Sequence, residues 1–405
     1  MNGHRPEVAD VIERDGARYL ERYRPSKEQF RVLNALAQCR TASLGGHVKR
    51  CDLCAHEVIA YNSCRNRHCP KCQGAARAAW LQAREREVLD VEYFHVVFTV
   101  PHELAPLALQ NRRAVYGMLF RAASETLLTI AQDPKHLGAD IGVLALLHTW
   151  GQNLLAHPHL HCVVPGGGLS IGPDATRWVS CRNGFFLPVR VLGRMFRGKF
   201  LALLLRAFEL QQLEFHGRLV ELNHPKAWEG WLEPIRNKDW LVYAKPPFGG
   251  PKQVLKYLAR YTHRVAISNQ RILAFEDGHV RFTWKDYANG NRRRTMTLDS
   301  VEFLRRFLLH VLPTGFMRIR YYGFLANRNR AEKLQLARRL IADQTSPTEN
   351  TNANVAVEPT NPPSPTPGEA IDEFELCPQC KQGRLIVILR IGYPVVQKAW
   401  SFDSS

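Results

Sequence analysis

The spacing of hydrophobic residues divides the chain into segments of helical and of strand character. Apolar residues recur at helical spacing over 8–24, 27–39, 75–89, much of 103–133, and 190–215. Ser26-Lys27-Glu28-Gln29 has the form of a capping box, in which a serine and a glutamine each bond the backbone of the other. The pattern therefore predicts an N-terminal helical segment and further helices in the middle of the chain.

Runs rich in β-branched and aromatic residues predict strands over 93–100 and 141–150, and a third around His157-Pro158-His159-Leu160-His161. Glu276-Asp277-Gly278-His279 is predicted to join two alternating runs, 271–275 and 280–284, into a hairpin. Helices and strands alternate along the chain, but they lack the regularly spaced glycine-rich turns of a nucleotide-binding sheet. We therefore expect 91–285 to form one α+β catalytic core.

The composition changes after residue 340. Residues 343–368 are mostly Pro, Thr, Asn and Ser, and such a segment cannot bury enough apolar surface to offset the entropy of ordering. The domain prediction is an N-terminal helical and zinc-binding DNA-binding domain over 1–90 and a catalytic domain with a C-terminal helical part over 91–340. A disordered linker over 341–375 and a short tail over 376–405 are predicted to follow.

Charge limits the classes of partner. Lys and Arg outnumber Asp and Glu by 55 to 37, a net charge of +18, and such a field attracts polyanions, with nucleic acid first. No apolar run approaches the roughly 18 to 20 residues of a membrane-spanning helix. The first 15 residues are polar and acidic, unlike a signal peptide. We expect a soluble cytoplasmic protein with no membrane association.

Cysteines cluster in a way that indicates metal. Six of the ten cysteines fall between Cys39 and Cys72. They include two CxxC pairs, Cys51 with Cys54 and Cys69 with Cys72, and four thiolates from such turns can surround a zinc ion. We predict one structural zinc ion held by these four residues.

Other candidate ligands remain in the same segment: Cys39, His47, Cys64 and His68. They could complete a second site. We favour the simpler interpretation, in which both cysteines are small buried hydrophobic residues and both histidines face solvent or phosphate. The segment is also rich in cations that could contact DNA, namely Lys49, Arg50, Arg65, Arg67 and Lys71.

A further CxxC pair, Cys377 with Cys380, stands near the end of the chain. It is half of a zinc site without an evident second half. It could use Cys162 or Cys181, pair between chains, or bind nothing, and the sequence assigns no metal to it.

The histidine strand is a candidate catalytic metal site. Side chains alternate faces along a strand, so His159 and His161 project from the same face and could hold a divalent cation. A third protein ligand is expected, and Gln152, His95 and His157 are all possible donors. His148 and His95 on neighbouring predicted strands could join the pair or be bystanders.

Two tyrosines are candidate nucleophiles. Tyr257 and Tyr261 are four residues apart and would share one face of a helix, where they could simply be core residues. Cations surround them in the sequence: Lys256, Arg260, His263 and Arg264. Nearby cations lower the pKa of a phenol and can orient a phosphodiester, and both effects favour nucleophilic attack.

Four stretches resemble the two-tyrosine HUH transposases of bacterial insertion sequences, the insertion sequence 91 family with its N-terminal zinc-binding domain. The stretches are Tyr61-Asn62-Ser63-Cys64-Arg65-Asn66-Arg67-His68-Cys69-Pro70-Lys71-Cys72; His148-Thr149-Trp150-Gly151-Gln152-Asn153 with the histidine strand; Tyr257-Leu258-Ala259-Arg260-Tyr261; and Phe303-Leu304-Arg305-Arg306-Phe307 with Leu312-Pro313 and Tyr322-Gly323. Together they span roughly residues 30–340.

The resemblance implies an antiparallel sheet with flanking helices, and an enzyme that nicks and rejoins single-stranded DNA. His159 and His161 would hold catalytic Mg²⁺ or Mn²⁺, and Tyr257 and Tyr261 would form 5′-phosphotyrosine links in rolling-circle-like transposition. Arg65, Arg67, Lys71, Lys256, Arg260 and Arg264 would contact DNA. The partners would be single strands at the element ends and target DNA, in the bacterial nucleoid, and a homo-oligomer is left open.

Two other functions remain open on the sequence. The same chemistry serves replication initiators and plasmid relaxases, and a zinc-dependent DNA-binding regulator would need no chemistry. A regulator has no use for paired histidines and paired tyrosines, so it is disfavoured.

Overall fold

The computed structural model describes residues 5–172, 175–248, 253–254, 265–286, 289–345 and 376–393. The chain forms two compact units. The larger unit contains residues 1–33 and 65–345, and the smaller unit contains 34–64 together with 346–405. Neither unit is therefore a continuous stretch of sequence.

The described helices are α1 (Val8–Arg22), α2 (Lys27–Ala37), α3 (Gln73–Glu85), α4 (Ala105–Gln110), α5 (Arg112–Gln132), α6 (Val189–Glu209), α7 (Pro225–Asn237), α8 (Ser300–Leu308) and α9 (Arg330–Thr345). The predicted capping box starts α2: the Gln29 amide donates to Ser26 Oγ at 3.3 Å, and the Ser26 amide donates to Gln29 Oε1 at 2.9 Å. No helix among the described residues has both the length and the apolar character needed to cross a membrane.

A seven-stranded sheet forms the centre of the larger unit. Its strands are β3 (Tyr93–Thr99), β4 (Ala139–Trp150), β5 (Ala156–Pro165), β6 (Gly167–Ser170), β7 (Trp178–Ser180), β8 (Val242–Phe248) and β12 (Ile319–Gly323). The order is β7-β6-β4-β5-β3-β8, with β12 also paired to β4, and neighbouring strands are antiparallel. The predicted α+β class with an antiparallel sheet and flanking helices is confirmed.

One face of this sheet is the main hydrophobic core. Alternate residues of the central strands, such as Phe98 and Leu160, are fully buried and belong to one cluster with Phe120 of α5 and Phe196 of α6. Because side chains alternate along a strand, the residues between them lie on the opposite face. The histidines of β5 lie on that opposite face.

A separate three-stranded sheet in the larger unit consists of β9 (Ile272–Glu276), β10 (His279–Asp286) and β11 (Arg292–Asp299), with β10 in the middle. The predicted hairpin is present. Asp277 and Gly278 both have positive φ, 47° and 72°, as the tight turn between twisted strands requires.

The smaller unit contains another three-stranded sheet, in the order β13 (Leu385–Ile391), β1 (Gly46–Cys51) and β2 (Glu57–Tyr61). Both neighbours pair antiparallel with β1. The tail segment after residue 376 therefore supplies an edge strand to the cysteine-rich segment.

Two predicted boundaries differ from the structure. The helix predicted over 190–215 ends at Glu209, because Gln211 adopts φ 54° and the amide of Gln212 bonds the carbonyl of Ala207 at 2.8 Å, as in a Schellman motif. The first five residues of the predicted linker, 341–345, are the last turns of α9. The rest, 346–375, lies outside the described residues.

The predicted N-terminal domain over 1–90 is also divided differently. Helix α1 belongs to the larger unit, where the amide of Val8 donates to Asn269 Oδ1 at 3.2 Å and Arg5 donates to the carbonyl of Gln270 at 2.8 Å. These bonds join the start of the chain to the segment that leads into β9. Helix α1 is therefore grouped by its contacts with residues far away in sequence, and not with the cysteine-rich segment that follows it in the chain.

Candidate functional site

The histidines of β5 meet a third histidine from the neighbouring strand. The antiparallel register of β4 and β5 places His148 opposite His159, and Leu146 opposite His161. One ligand nitrogen from each of His148, His159 and His161 lies within 4.8 Å of the others. The strand pairing thus assembles a group of three imidazoles from two segments.

The two histidines of the predicted pair approach each other closely. Nε2 of His159 lies 3.1 Å from Nε2 of His161. Nδ1 of His159 lies 2.7 Å from the carbonyl oxygen of His157, so the proton of a neutral His159 belongs on Nδ1 and its Nε2 carries a lone pair. Such a lone pair, aimed at a second imidazole nitrogen, is suited to a shared cation.

His95 of β3 supports His161 from the other side. Nε2 of His95 lies 2.8 Å from Nδ1 of His161, and the two rings stack at 5.0 Å. Burial, with a contribution from Lys245, lowers the pKa of His95 to about 3, so its ring is neutral near neutral pH. Its exposed fraction is only 1%. His95 is placed to orient His161 rather than to bind the same ion.

The remaining predicted third ligands lie outside the group. His157 contributes its backbone carbonyl to His159, and its own ring is exposed. The carbonyl of Gln152 accepts from Arg271. The residue in the third position is His148, which has an exposed fraction of 3% and stacks on Trp150 at 4.8 Å between ring centroids.

Tyr257 and Tyr261 lie outside the described residues, as do Lys256, Arg260 and Arg264. Val254, three positions before Tyr257, is described and fully buried. It belongs to one hydrophobic cluster with Tyr93, Leu144, Leu146 and Val163. These four residues lie on the histidine face of the sheet, since each is an even number of positions from a histidine on its own strand.

A second ligand group lies in the smaller unit. The thiols of Cys51, Cys54, Cys377 and Cys380 lie within 4.8 Å of one another. The partner of the Cys51–Cys54 pair is therefore the CxxC pair near the end of the chain. The grouping predicted from sequence spacing, with Cys69 and Cys72, is not the one that the structure has, because β13 brings the tail beside β1.

The other four cysteines of this region form two close pairs. In the smaller unit, the thiols of Cys39 and Cys64 lie within 4.8 Å of each other. In the larger unit, Cys69 and Cys72 are equally close, both are buried, and the amide of Cys72 bonds the carbonyl of Cys69 at 3.2 Å just before α3.

The two leftover histidines of the segment differ. His47 lies on β1 and is partly exposed. The prediction that His68 faces solvent or phosphate is wrong, because its Nε2 is buried and burial lowers its pKa to about 3.

The basic residues predicted to contact DNA have different surroundings. Arg65 is exposed. Lys71 forms an ion pair with Glu7 at 2.6 Å. The guanidinium of Arg67 donates to the carbonyls of Leu312, Pro313 and Phe316, at 3.3, 3.1 and 2.7 Å. These bonds give Arg67 a structural role within the larger unit, which sequence alone did not indicate.

Comparisons with known proteins show which class of protein the chain belongs to. Residues 142–333 match a family model described as "Putative transposase", and residues 11–100 match one described as "Transposase zinc-binding domain". The chain is 54% identical over 392 residues to "Putative transposase y4qJ" of Sinorhizobium fredii (strain NBRC 101917 / NGR234), covering 95% of each chain. It is 28% identical over 326 residues to "Transposase for insertion sequence element IS801" of Pseudomonas savastanoi pv. phaseolicola, covering 79% of this chain and 74% of the relative. No solved structure matches.

The antiparallel sheet, the cysteine groups and these matches define a transposase with a zinc-binding domain. The chain belongs to the insertion sequence 91 family of transposases. The predicted family is thereby confirmed.

Proposed function

We propose that this transposase nicks and rejoins single-stranded DNA through a 5′-phosphotyrosine intermediate, with Tyr257 and Tyr261 as nucleophiles and a divalent metal ion on the histidine face. The observation that carries the proposal is the packing of Val254 on that same face. Tyr257 follows Val254 by three residues, which span at most about 10 Å even when fully extended. A nucleophile at Tyr257 would therefore need only a short connection from Val254 to act at the histidine face.

The histidine group fits a divalent cation. Ligand nitrogens about 2.1 Å from a metal and at right angles to each other are roughly 3.0 Å apart, close to the 3.1 Å between His159 and His161. His148 provides the third nitrogen. Imidazole donors suit Mn²⁺ better than Mg²⁺, which prefers oxygen, although water and phosphate oxygens can complete the shell of either ion. A bound cation would polarise the scissile phosphate and stabilise the charge that develops on it.

The two tyrosines would carry out the covalent steps of the reaction. One tyrosine gives its phenolic proton to solvent, and its oxygen attacks the phosphorus and forms a P–O bond. The bond from phosphorus to the 3′ oxygen breaks, and that oxygen takes a proton from solvent. The 5′ phosphate stays on the tyrosine, and a 3′ hydroxyl reverses the step during rejoining. The second tyrosine would cut a second strand while the first remains linked.

Cationic side chains would bring the strand to this face. Lys245 on β8 pairs with His95 in the strand register and shares the histidine face. Lys256, Arg260 and Arg264 accompany the tyrosines in the sequence, and Arg65 is exposed. Contacts of this kind to phosphates position a strand without reading its bases.

Structural zinc is the second part of the proposal. The region that matches the zinc-binding domain contains six cysteines, and two of them, Cys51 and Cys54, have partners in the tail. The remaining four are Cys39, Cys64, Cys69 and Cys72. Each of the close pairs that they form, Cys39 with Cys64 and Cys69 with Cys72, offers thiolates suited to structural zinc.

Phenylalanine variants test the nucleophiles. Tyr257→Phe and Tyr261→Phe keep the aromatic ring but remove the oxygen, so the double variant should form no covalent adduct with labelled single strands of the element ends in Mn²⁺. Tyr243→Phe is the matched control, since Tyr243 is exposed, with a fraction of 56%, and lies on β8 of the sheet that carries the histidines. An adduct that persists in the double variant would show that the tyrosine assignment is wrong.

The transposase matches favour transposition over plasmid replication or relaxase activity, which share the same chemistry. The two functions are distinguished by substrate. A transposase should join the cleaved element end to a second, unrelated strand, whereas an initiator should act at one origin sequence.

A further inference from the structure

We propose that the C-terminal tail closes a four-thiolate zinc site with the N-terminal cysteine segment, through Cys51, Cys54, Cys377 and Cys380. The two halves of this site are more than 320 residues apart in sequence, with separations of 329 and 323 residues for the two close pairs. The zinc-binding family model ends at residue 100, so it does not include the tail.

The spacing of the sulfur atoms fits a zinc ion. Sγ of Cys51 lies 3.7 Å from Sγ of Cys380, and Sγ of Cys54 lies 3.6 Å from Sγ of Cys377. A tetrahedral ion with Zn–S bonds of about 2.3 Å holds its sulfurs about 3.8 Å apart. The sulfurs of a disulfide would be only about 2.05 Å apart. The observed distances match the edges of a zinc tetrahedron.

Both CxxC turns have the same backbone form. The residue after the second cysteine is left-handed in each, with φ 58° at Ala55 and 57° at Lys381. Its amide bonds the carbonyl of the first cysteine, at 3.2 Å to Cys51 and at 2.9 Å to Cys377. Left-handed backbone at a residue other than glycine is uncommon. Its recurrence at equivalent positions shows that both turns adopt one conformation around the four sulfurs.

Backbone amides point at the sulfurs. The amides of Leu53 and Cys54 donate to Sγ of Cys51 at 3.4 and 3.5 Å, and the amide of Gly383 donates to Sγ of Cys380 at 3.3 Å. Hydrogen bonds of this kind favour the thiolate form, which is the form that binds zinc. The turns therefore present the donors that stabilise negative sulfur.

Hydrogen bonds and a close glycine contact also hold the tail against the Cys51–Cys54 turn. Asp52 accepts from the amide of Arg384 at 2.7 Å, and its own amide donates to the carbonyl of Arg384 at 3.1 Å. A Cβ added at Gly383 would lie 2.3 Å from Sγ of Cys51 and 2.7 Å from Oδ1 of Asp52. Only glycine allows this close approach. Strand β13 then continues the contact along β1.

The experiment measures zinc per chain in three variants of the full-length protein: Cys51→Ser with Cys54→Ser, Cys377→Ser with Cys380→Ser, and all four together. Because one ion uses both pairs, each variant should lose the same single zinc ion, and the fourfold variant should lose no more than either double. Cys181→Ser, a cysteine of the larger unit outside these groups, should keep full zinc content.

Two results would overturn the proposal. One is unchanged zinc content in the tail double variant. The other is an additive loss, in which the fourfold variant loses twice as much zinc as each double, since that requires two separate ions. A further variant combines Cys51→Ser and Cys54→Ser with Cys69→Ser and Cys72→Ser. Its loss of zinc should be the sum of the losses in the two double variants, whereas one ion shared by those four residues would give no additional loss.

Alanine substitutions at two glycines test the site while every cysteine is retained. Gly383→Ala should speed the release of one zinc ion to a coloured chelator by about tenfold or more, as expected when the support around a metal ligand is disturbed. Gly392→Ala is the matched control, since nothing lies within 4 Å of its added Cβ. Equal release rates in the two variants would contradict the proposed site. This result does not depend on DNA cleavage, so it is separable from the proposed function.

Discussion

Replacing His95 by phenylalanine tests whether this residue orients the metal-binding histidines. The substitution keeps a flat ring in a position with an exposed fraction of 1%, but it removes the nitrogen that lies 2.8 Å from Nδ1 of His161. Since Nε2 of His161 faces His159, we place the proton of His161 on Nδ1, where it donates to His95. The variant leaves that N–H buried without its partner.

The expected loss is one of metal affinity. Losing such an orienting bond typically costs about 10- to 100-fold in affinity, which corresponds to about 1.4 to 2.7 kcal/mol. An unsatisfied buried donor also costs roughly 1 to 3 kcal/mol of folding free energy, partly offset by the more apolar ring. Mn²⁺ binding should therefore weaken more clearly than thermal stability falls.

The assay is calorimetric titration of the full-length protein with Mn²⁺, together with a thermal melt. His95→Gln keeps an acceptor at a similar reach and should recover much of the affinity, whereas a purely structural role would make both variants alike. Mn²⁺ affinity in His95→Phe equal to that of the unchanged protein would refute the orienting role.

Further predictions concern the third ligand, the basic residues and pH. His148→Ala should weaken Mn²⁺ binding in calorimetry by more than about a hundredfold, beyond the usual effect of losing an orienting residue, whereas His157→Ala should leave it nearly unchanged because only the backbone of His157 takes part. Arg67→Ala should lower the free energy of unfolding in urea by about 3 kcal/mol, because three carbonyls lose a charged donor, and should not alter the DNA affinity of the folded protein. Arg65→Ala should leave the free energy of unfolding unchanged. It should reduce, by about one, the slope of the logarithm of DNA affinity against the logarithm of salt concentration. Two arginines lower the pKa of Glu302 to about 2, below its ordinary value of 4.5, so its contribution is present above about pH 4.5 and is lost as pH falls toward 2. Urea unfolding of Glu302→Gln should show a deficit of roughly 1 to 3 kcal/mol at pH 7 that shrinks in acid, and a deficit independent of pH would contradict the ion-pair explanation.

Local patterns were sufficient to predict several of the elements. The capping box at Ser26 and Gln29, the tight turn at Asp277 and Gly278, and the strand containing His159 and His161 depend on neighbouring residues, and the structure has all three. The helix end after Glu209 was missed because its left-handed residue is Gln211, whereas glycine is the usual residue at such a position.

Partners far apart in sequence could not be predicted from spacing alone. His148 became the third member of its group through the register of β4 against β5, and a sequence gives no register between strands. Cys377 and Cys380 lack a second half nearby in sequence, and only the pairing of β13 with β1 shows where it lies. The carbonyl contacts of Arg67 depend equally on a distant loop.

The covalent peptide tests the central claim most directly, because the sequence places the two tyrosines in different tryptic fragments, Tyr257-Leu258-Ala259-Arg260 and Tyr261-Thr262-His263-Arg264. The protein is incubated with a single strand of an element end and Mn²⁺, digested with trypsin, and the nucleotide-bearing peptide is identified by mass spectrometry. We predict 5′-phosphate on one or both of these tetrapeptides, and none when a chelator is present or when His159 and His161 are replaced by alanine. A nucleotide on any other peptide, or the same adduct without the metal or the histidines, would contradict the proposed mechanism.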